Sequence, residues 1–134
     1  MPGDLMAQEA PQLEVTVFLA TRTASTEPSP SKAELQELER VFRGQGFRFF
    51  YRLKHEYLSF GQTPTAVLSL PSEKRALFTY RVEKSNHYLY DFSLPEYDVK
   101  ATLRIPLNRT FFQAGIKHKG GTLILKIRAL KRGR

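Results

Sequence analysis

Most of this chain alternates apolar and polar side chains at every second residue, and the alternating segments are separated by very short breaks. The clearest alternation runs through His87–Leu94, Val99–Ile105 and Thr122–Leu130. A period of two is typical of a β-strand with one face turned inward. Breaks such as Lys84–Asn86 and Lys119–Gly121 are too short for the crossover that parallel strands need. The pattern therefore predicts an antiparallel β-rich fold.

The whole pattern predicts seven to nine strands. The candidate strands are Leu13–Ala20, Phe47–Lys54, Tyr57–Phe60, Thr65–Leu70, Arg75–Val82, His87–Leu94, Val99–Ile105, Thr110–Ile116 and Thr122–Leu130.

One helix interrupts this pattern. Ser31 and Glu34 have the spacing of a capping box, in which each side chain binds a free amide at the helix start. Gly44 suits the left-handed conformation that ends many helices, so we expect a helix from about Ser31 to Arg43. Its apolar stripe should dock it on the sheet, since so short a helix is unstable alone. The stripe consists of Leu35, Leu38, Val41 and Phe42.

The predicted fold class is α+β, with one helix packed on an antiparallel β-sheet or a compact β-sandwich. A chain of 134 residues with 41% apolar residues is long enough and apolar enough for one packed core. We predict a flexible N-terminal segment over residues 1–12, a single α+β domain over residues 13–130, and a basic tail over residues 131–134.

Charge is unevenly distributed along the chain. The last acidic residue is Asp98, and ten Lys or Arg follow it, whereas the first 98 residues carry eleven basic and thirteen acidic side chains. A strongly cationic quarter on a near-neutral body favours an anionic partner, such as an acidic protein surface, an envelope polymer or a nucleic acid. The candidate anion-binding residues are Lys100, Arg104, Lys117, Lys119, Lys126, Arg128, Lys131, Arg132 and Arg134.

Four of these cations alternate with apolar residues on two predicted strands. If the two strands are neighbours, Lys100, Arg104, Lys126 and Arg128 form a cationic patch on one sheet face. The alternative is a solvated outer face followed by a frayed basic tail, because exposed Lys and Arg normally fill such positions. A separate candidate lies at Gly120–Gly121, where a predicted hairpin turn next to two lysines and a histidine suggests an anion nest.

The predicted strand Phe47–Lys54 interleaves aromatic rings with cations. Phe50 and Tyr51 are therefore candidate aromatic contacts for bases or sugars. Core packing of Phe47, Phe49 and Tyr51, with Arg48 and Arg52 outside, is the alternative interpretation.

The sequence carries no assembled catalytic or metal motif. The absence of Cys removes disulfides, thiolate metal sites and Cys nucleophiles together. His55, His87 and His118 have no metal-ligand spacing, so we expect neither a metal nor another cofactor. No apolar run approaches the ~20 residues of a membrane span. We predict that the protein is not an enzyme; a site dispersed over the β scaffold would leave no motif.

Short segments along residues 13–130 resemble small, uncharacterised β-rich proteins of myxobacteria and related bacteria, many of them exported. They include Phe49–Leu53, Leu68–Pro71, Ala101–Ile105 and Gly120–Ile127. The closing strands are also similar to the Gly-turn-strand ending of secretin-type outer-membrane channels. The resemblance implies export. Residues 1–12, however, have no basic cluster or apolar stretch of a signal peptide. Localisation is thus left between the periplasm or envelope, after removal of a signal, and the cytoplasm.

Together these features predict a non-catalytic binding or assembly module associated with the cell envelope. The alternative is a sequence-tolerant nucleic-acid-binding protein that uses the cationic quarter against phosphates. The sequence leaves the partner and the oligomeric state open.

Overall fold

The computed structural model describes residues 12–60 and 63–130 of the chain. In these ranges it has one α-helix, α1 (Lys32–Val41), and eight β-strands. The strands are β1 (Gln12–Thr21), β2 (Phe49–Leu58), β3 (Thr65–Leu70), β4 (Lys74–Lys84), β5 (His87–Leu94), β6 (Val99–Pro106), β7 (Thr110–His118) and β8 (Gly121–Leu130). The predicted α+β class is confirmed, with a strand number inside the expected range.

The strands form two antiparallel sheets of four. One has the order β2-β1-β8-β7, and the other has the sequential order β3-β4-β5-β6. Two predicted strands, Phe47–Lys54 and Tyr57–Phe60, are replaced by the single long strand β2. The intervening His55 and Glu56 continue that strand because neither residue favours a turn.

The described chain divides into two compact units built from interleaved segments. The helix unit comprises Thr16–His55 and Phe112–Lys126. The sheet unit comprises the described residues up to Val15, those from Glu56 to Phe111, and those from Ile127 onward. The single domain over residues 13–130 stays a prediction.

The start of α1 is confirmed as a capping box. The amide of Glu34 donates to the Ser31 hydroxyl at 3.1 Å, and the amide of Ser31 donates to the Glu34 carboxylate at 2.9 Å. The helix ends at Val41, with Phe42 as its cap residue. Gly44 does adopt a left-handed conformation, with φ of 86°, but it lies beyond the cap, in the turn that follows.

The helix unit has its core beneath α1. Leu38 and Phe42 of the helix are buried, and Leu35 packs partly buried beside them. Val41 is 40% exposed, so its predicted part in docking is wrong. The other core residues are Phe18, Ala20, Phe50 and Ile124, with Phe47, Phe112 and Ala114 packed against them.

The sheet unit contains the complete sheet β3-β4-β5-β6, whose successive strands pair as antiparallel neighbours. Alternate residues of β5, among them Tyr90 and Phe92, are buried. A bulge at Arg81 shifts the register, so that Val82 pairs with the outward Leu89 and is 41% exposed. Val82 therefore does not lie on the same face of the sheet as the buried Phe78.

The predicted terminal segments lie almost entirely outside the described residues. Gln12 is the exception, because it begins β1, whereas residues 1–11 and the basic tail 131–134 are not described. Among the described residues, no helix combines the length and apolarity that crossing a bilayer requires.

Candidate functional site

A basic groove opens in the helix unit where the β7–β8 hairpin meets the end of β1. Its volume is about 530 Å³, and it is lined by Ala20–Thr23, Phe47 and Lys117–Thr122. This volume falls within the range of small-molecule binding sites, roughly 300–1,000 Å³. The lining brings together Arg22, Lys117 and Lys119 and contains no acidic side chain among the described residues.

A tight two-residue turn forms part of the lining of the groove. Lys119 and Gly120, with φ of 47° and 77°, both lie in the left-handed region, which is the geometry of a type I′ hairpin turn. The predicted turn at Gly120–Gly121 is thus shifted by one residue, and Gly121 instead begins β8. A Cβ on Gly121 would lie only 2.8 Å from the carbonyl oxygen of Ala20. This position therefore requires glycine so that the hairpin can approach β1 closely.

The end of β1 and the segment before β2 also line the groove, and a backbone hydrogen bond joins them. The amide of Arg48 donates to the Thr21 carbonyl at 2.9 Å, which joins the segment that carries Phe47 to the end of β1. The guanidinium of Arg22 lies over Gly46, where an added Cβ would be 3.0 Å from Nη2. A cation, Arg22, and an aromatic residue, Phe47, thus both line the groove.

His118 adds a titratable group to the groove. Burial lowers the pKa of its imidazole below the ordinary value of 6.5, and the nearby Lys119 acts in the same direction. The carboxylate of Glu27 acts in the opposite direction on the pKa of this ring, but its effect is smaller. The net result favours neutral His118 near pH 7, so the positive charge of the groove then comes from its lysines and arginine.

Two of the predicted anion-binding residues, Lys117 and Lys119, meet in this groove. The predicted patch required β6 and β8 to be neighbours in one sheet. They belong to different sheets, so this condition is not met for Lys100, Arg104, Lys126 and Arg128.

The face of β8 that carries Lys126 is also not an open outer surface. Ile124 on this face is fully buried in the core beneath α1. The Nζ of Lys126 lies 2.6 Å from Glu37 Oε1 of the helix. Lys126 therefore forms an ion pair with Glu37 inside the protein, and this pair helps to hold α1 on β8.

The remaining predicted cations lie apart from the groove. Lys100 and Arg104 are exposed on β6, and Arg128 is exposed on β8, all three within the sheet unit. Lys131, Arg132 and Arg134 lie outside the described residues.

The two predicted aromatic contacts, Phe50 and Tyr51, are buried. Phe50 packs edge-on against Phe47 in the core of the helix unit. The hydroxyl of Tyr51 accepts a 2.7 Å hydrogen bond from the Ser25 amide. Neither residue lines the basic groove.

Sequence reasoning missed Arg22 and Phe47 as members of a common site. Arg22 follows β1 and Phe47 precedes β2, far from Lys117–Thr122 in the sequence. Only the pairing of β1 with both β2 and β8 brings the three segments together. The local signals that did exist were the hairpin turn and its flanking cations.

The described residues contain no group of three or more His, Asp or Glu side chains arranged to hold a metal ion. No protein-family model matches the chain, and no curated protein or solved structure shows significant similarity to it.

Proposed function

We propose that this protein is a non-catalytic binding module whose basic groove accepts an anionic group of a partner molecule. One observation carries this proposal: Arg22, Lys117 and Lys119 line the same groove. In the described part of the chain, no acidic residue belongs to its lining. Cations gathered in a concave site reinforce one another's potential and raise the local concentration of anions.

The lining also supplies neutral hydrogen-bonding groups that suit an oxyanion. Thr23 and Thr122 line the groove, and the turn at Lys119–Gly120 carries two successive residues in the left-handed region. Backbone amides in turns of this kind can form anion-binding concavities. Arg22 adds a planar fork of donors that matches carboxylate and phosphate geometry.

The setting that we propose for this module is the cell envelope. The resemblance of its short β-segments to exported bacterial proteins is the support for this part of the proposal. Fractionation of the source cells, with detection of the protein in membrane, periplasmic and cytoplasmic fractions, tests it; recovery from the cytoplasm alone would contradict it.

The groove is tested with a compact anion, inorganic tripolyphosphate, titrated calorimetrically at low salt. We expect binding to the wild-type protein and at least tenfold weaker binding to the double variant Arg22→Glu/Lys119→Glu, because contact between like charges replaces attraction. The matched control Lys32→Glu/Arg43→Glu makes the same change of net charge at exposed positions outside the groove. Equal weakening in both double variants would overturn the groove as the site.

Nucleic acid is a second candidate for the partner, favoured by the position of Phe47. Phe47 lines the same groove as Arg22, and an aromatic ring in a cationic groove suits a base stacked near its phosphate. Binding without base-specific contacts would tolerate any sequence and would weaken with salt, by about 0.7 log units per log unit of salt for each phosphate contacted on a single strand.

Replacement of Phe47 by Leu separates the two candidates. Leu keeps apolar packing against Phe42 and Phe50 but removes the stacking surface. A nucleic-acid partner predicts weaker binding of a labelled single-stranded oligonucleotide, with tripolyphosphate affinity unchanged. An oligonucleotide that binds Phe47→Leu as tightly as wild type would exclude stacking on this ring.

A further inference from the structure

A second surface, independent of the groove, lies at the edge of the sheet unit. Strand β6 is last in the order β3-β4-β5-β6 and pairs with β5 along its whole length, from Val99 to Pro106, without a bulge. Among the described residues no strand pairs with the other side of β6, and the isolated bridge from Leu107 to Ala129 lies just beyond its end. Such an edge presents a row of backbone donors and acceptors that a further strand can use.

The first half of β6 is open to solvent. Residues 99–102 are all exposed, although Ala101 is paired with Phe92, which is only 1% exposed. Side chains on both faces of this half of β6 are therefore open to solvent. A shallow groove of about 440 Å³ follows this segment along β5, with Asp91, Ser93, Lys100 and Thr102 among its lining.

The charge pattern of β6 selects what can pair with it. Lys100, Thr102 and Arg104 alternate along one face and are exposed. Their neighbours on β5 are Ser93, Asp91 and Leu89. Asp91 is paired with Arg81 at 2.7 Å, and neither Lys100 nor Arg104 forms an ion pair with any described residue. Cations on an edge strand repel basic strands, and they disfavour pairing with neutral strands because the charges would lose hydration without gaining a partner.

The same pattern disfavours a second copy of β6 as the occupant. Antiparallel pairing of two β6 strands about Thr102 would place Lys100 of each copy opposite Arg104 of the other. Like charges directly opposite each other destabilise a strand pair. An acidic strand placed in the same position would instead form opposite-charge pairs with both residues.

We propose that β6 is the docking site for an extended acidic segment of a protein partner, which adds to the sheet as a fifth strand. Its acids lie four residues apart on one face, opposite Lys100 and Arg104, with a Thr or Val between them opposite Thr102. Backbone hydrogen bonds supply affinity and the two charge pairs supply selectivity. This inference goes beyond the proposed function, because it uses the sheet unit and none of the groove residues.

The test uses a labelled peptide that contains Glu-Val-Thr-Val-Glu and a control in which both Glu are Gln. Fluorescence anisotropy should show that the acidic peptide binds the full chain about tenfold more tightly than the Gln peptide, a factor that follows from two cross-strand charge pairs. The variant Lys100→Glu/Arg104→Glu should lose this preference, whereas Lys32→Glu/Arg43→Glu should retain it. Equal affinity for the two peptides would overturn the proposal.

Hydrogen exchange locates the bound peptide. Saturation with the acidic peptide should slow exchange of backbone amides within residues 99–106, because edge amides become hydrogen-bonded. If the acidic peptide binds but protects only residues of the basic groove, β6 is not its site and the groove proposal stands. If the groove variant Arg22→Glu/Lys119→Glu binds the peptide as wild type does, the two sites are independent, as proposed.

Discussion

Lys126 of β8 donates a 2.6 Å hydrogen bond from Nζ to Oε1 of Glu37 on α1. Both side chains are only about a quarter exposed, so the pair is partly shielded from water. This contact joins the docked helix to the sheet strand that lies beneath it.

The variant Glu37→Gln should lower the free energy of unfolding by about 1–2 kcal/mol. It removes one charge of a partly buried, charge-assisted hydrogen bond. Urea denaturation measures the loss, and Glu39→Gln on the same helix, at an exposed position, should change stability by less than about 0.5 kcal/mol. Equal losses in the two variants would contradict a specific contribution of the Lys126 pair.

Docking of α1 depends on Leu38 and not on Val41. Leu38→Ala should cost about 2–5 kcal/mol, because Leu38 is 1% exposed and its removal leaves a cavity beneath the helix. Val41→Ala should cost under about 1 kcal/mol, since Val41 is 40% exposed. Chemical denaturation followed by circular dichroism compares the two. A loss for Val41→Ala as large as that for Leu38→Ala would contradict the docking.

Tyr90→Phe should stabilise the protein. Tyr90 is fully buried in the sheet unit, packed against Phe60 and Tyr80, and its hydroxyl has no hydrogen-bond partner among the described residues. Burial raises the pKa of this phenol far above its ordinary value, so the group stays protonated. An unpaired buried hydroxyl costs about 1–3 kcal/mol, and we expect a gain of this order in the unfolding free energy. Destabilisation by Tyr90→Phe would show that the hydroxyl does have a stabilising partner.

Binding of a single-stranded oligonucleotide in the basic groove should strengthen as the pH falls from 7 to 5. Phosphodiesters stay ionised over this range, whereas His118 gains a proton. Because burial and Lys119 lower the pKa of folded His118 below the ordinary 6.5, the ring takes up its proton at lower pH than a free imidazole does. His118→Gln should weaken the pH dependence, and an unchanged profile in that variant would exclude His118 as its source.

The lowered pKa of His118 also predicts that the protein without ligand becomes less stable as the pH falls. Unfolded His118 takes up its proton near pH 6.5, before the folded form does, so the unfolded state binds more protons below that pH. The stabilising contribution of His118 to the free energy of unfolding is therefore fully present above pH 6.5. It is lost as the pH falls from there through the pKa of the folded state. The unfolding free energy of His118→Gln, measured by urea denaturation at pH 7 and pH 5, should fall less between these values than that of wild type.

Gly121→Ala should destabilise the hairpin and deform the basic groove. Its Cβ would meet the Ala20 carbonyl oxygen at 2.8 Å, so the backbone must shift, at a cost of about 1–3 kcal/mol. Tripolyphosphate binding should weaken in the same variant. Gly44→Ala is the control: an added Cβ there meets nothing within 4 Å, and only its left-handed backbone costs energy, about 1 kcal/mol. Unchanged tripolyphosphate affinity in Gly121→Ala would mean that this hairpin does not shape the site.

Local chemistry in the sequence determined the elements of this protein. Period-two alternation predicts strands, the Ser31 and Glu34 spacing predicts the start of α1, and short breaks such as Ser85–Asn86 predict turns. Each of these signals acts between residues a few positions apart, where sequence spacing sets the distance in space. The charge step after Asp98 was likewise visible without a structure.

Tertiary structure decided which strands are neighbours, and with them the surfaces available for binding. Strand β8 pairs with β1 and β7 in one sheet, and β6 lies in the other, so the two strands do not form one cationic sheet face. In the described part of the chain, an isolated bridge between Leu107 and Ala129 joins the end of β6 to β8. The face of β8 that carries Ile124 and Lys126 packs against α1 and is not open to solvent. Arg22 and Phe47 join Lys119 in one groove only through this pairing. Alternation indicates that a strand has two faces, but not which element covers each one, because that choice depends on contacts between residues far apart in the chain.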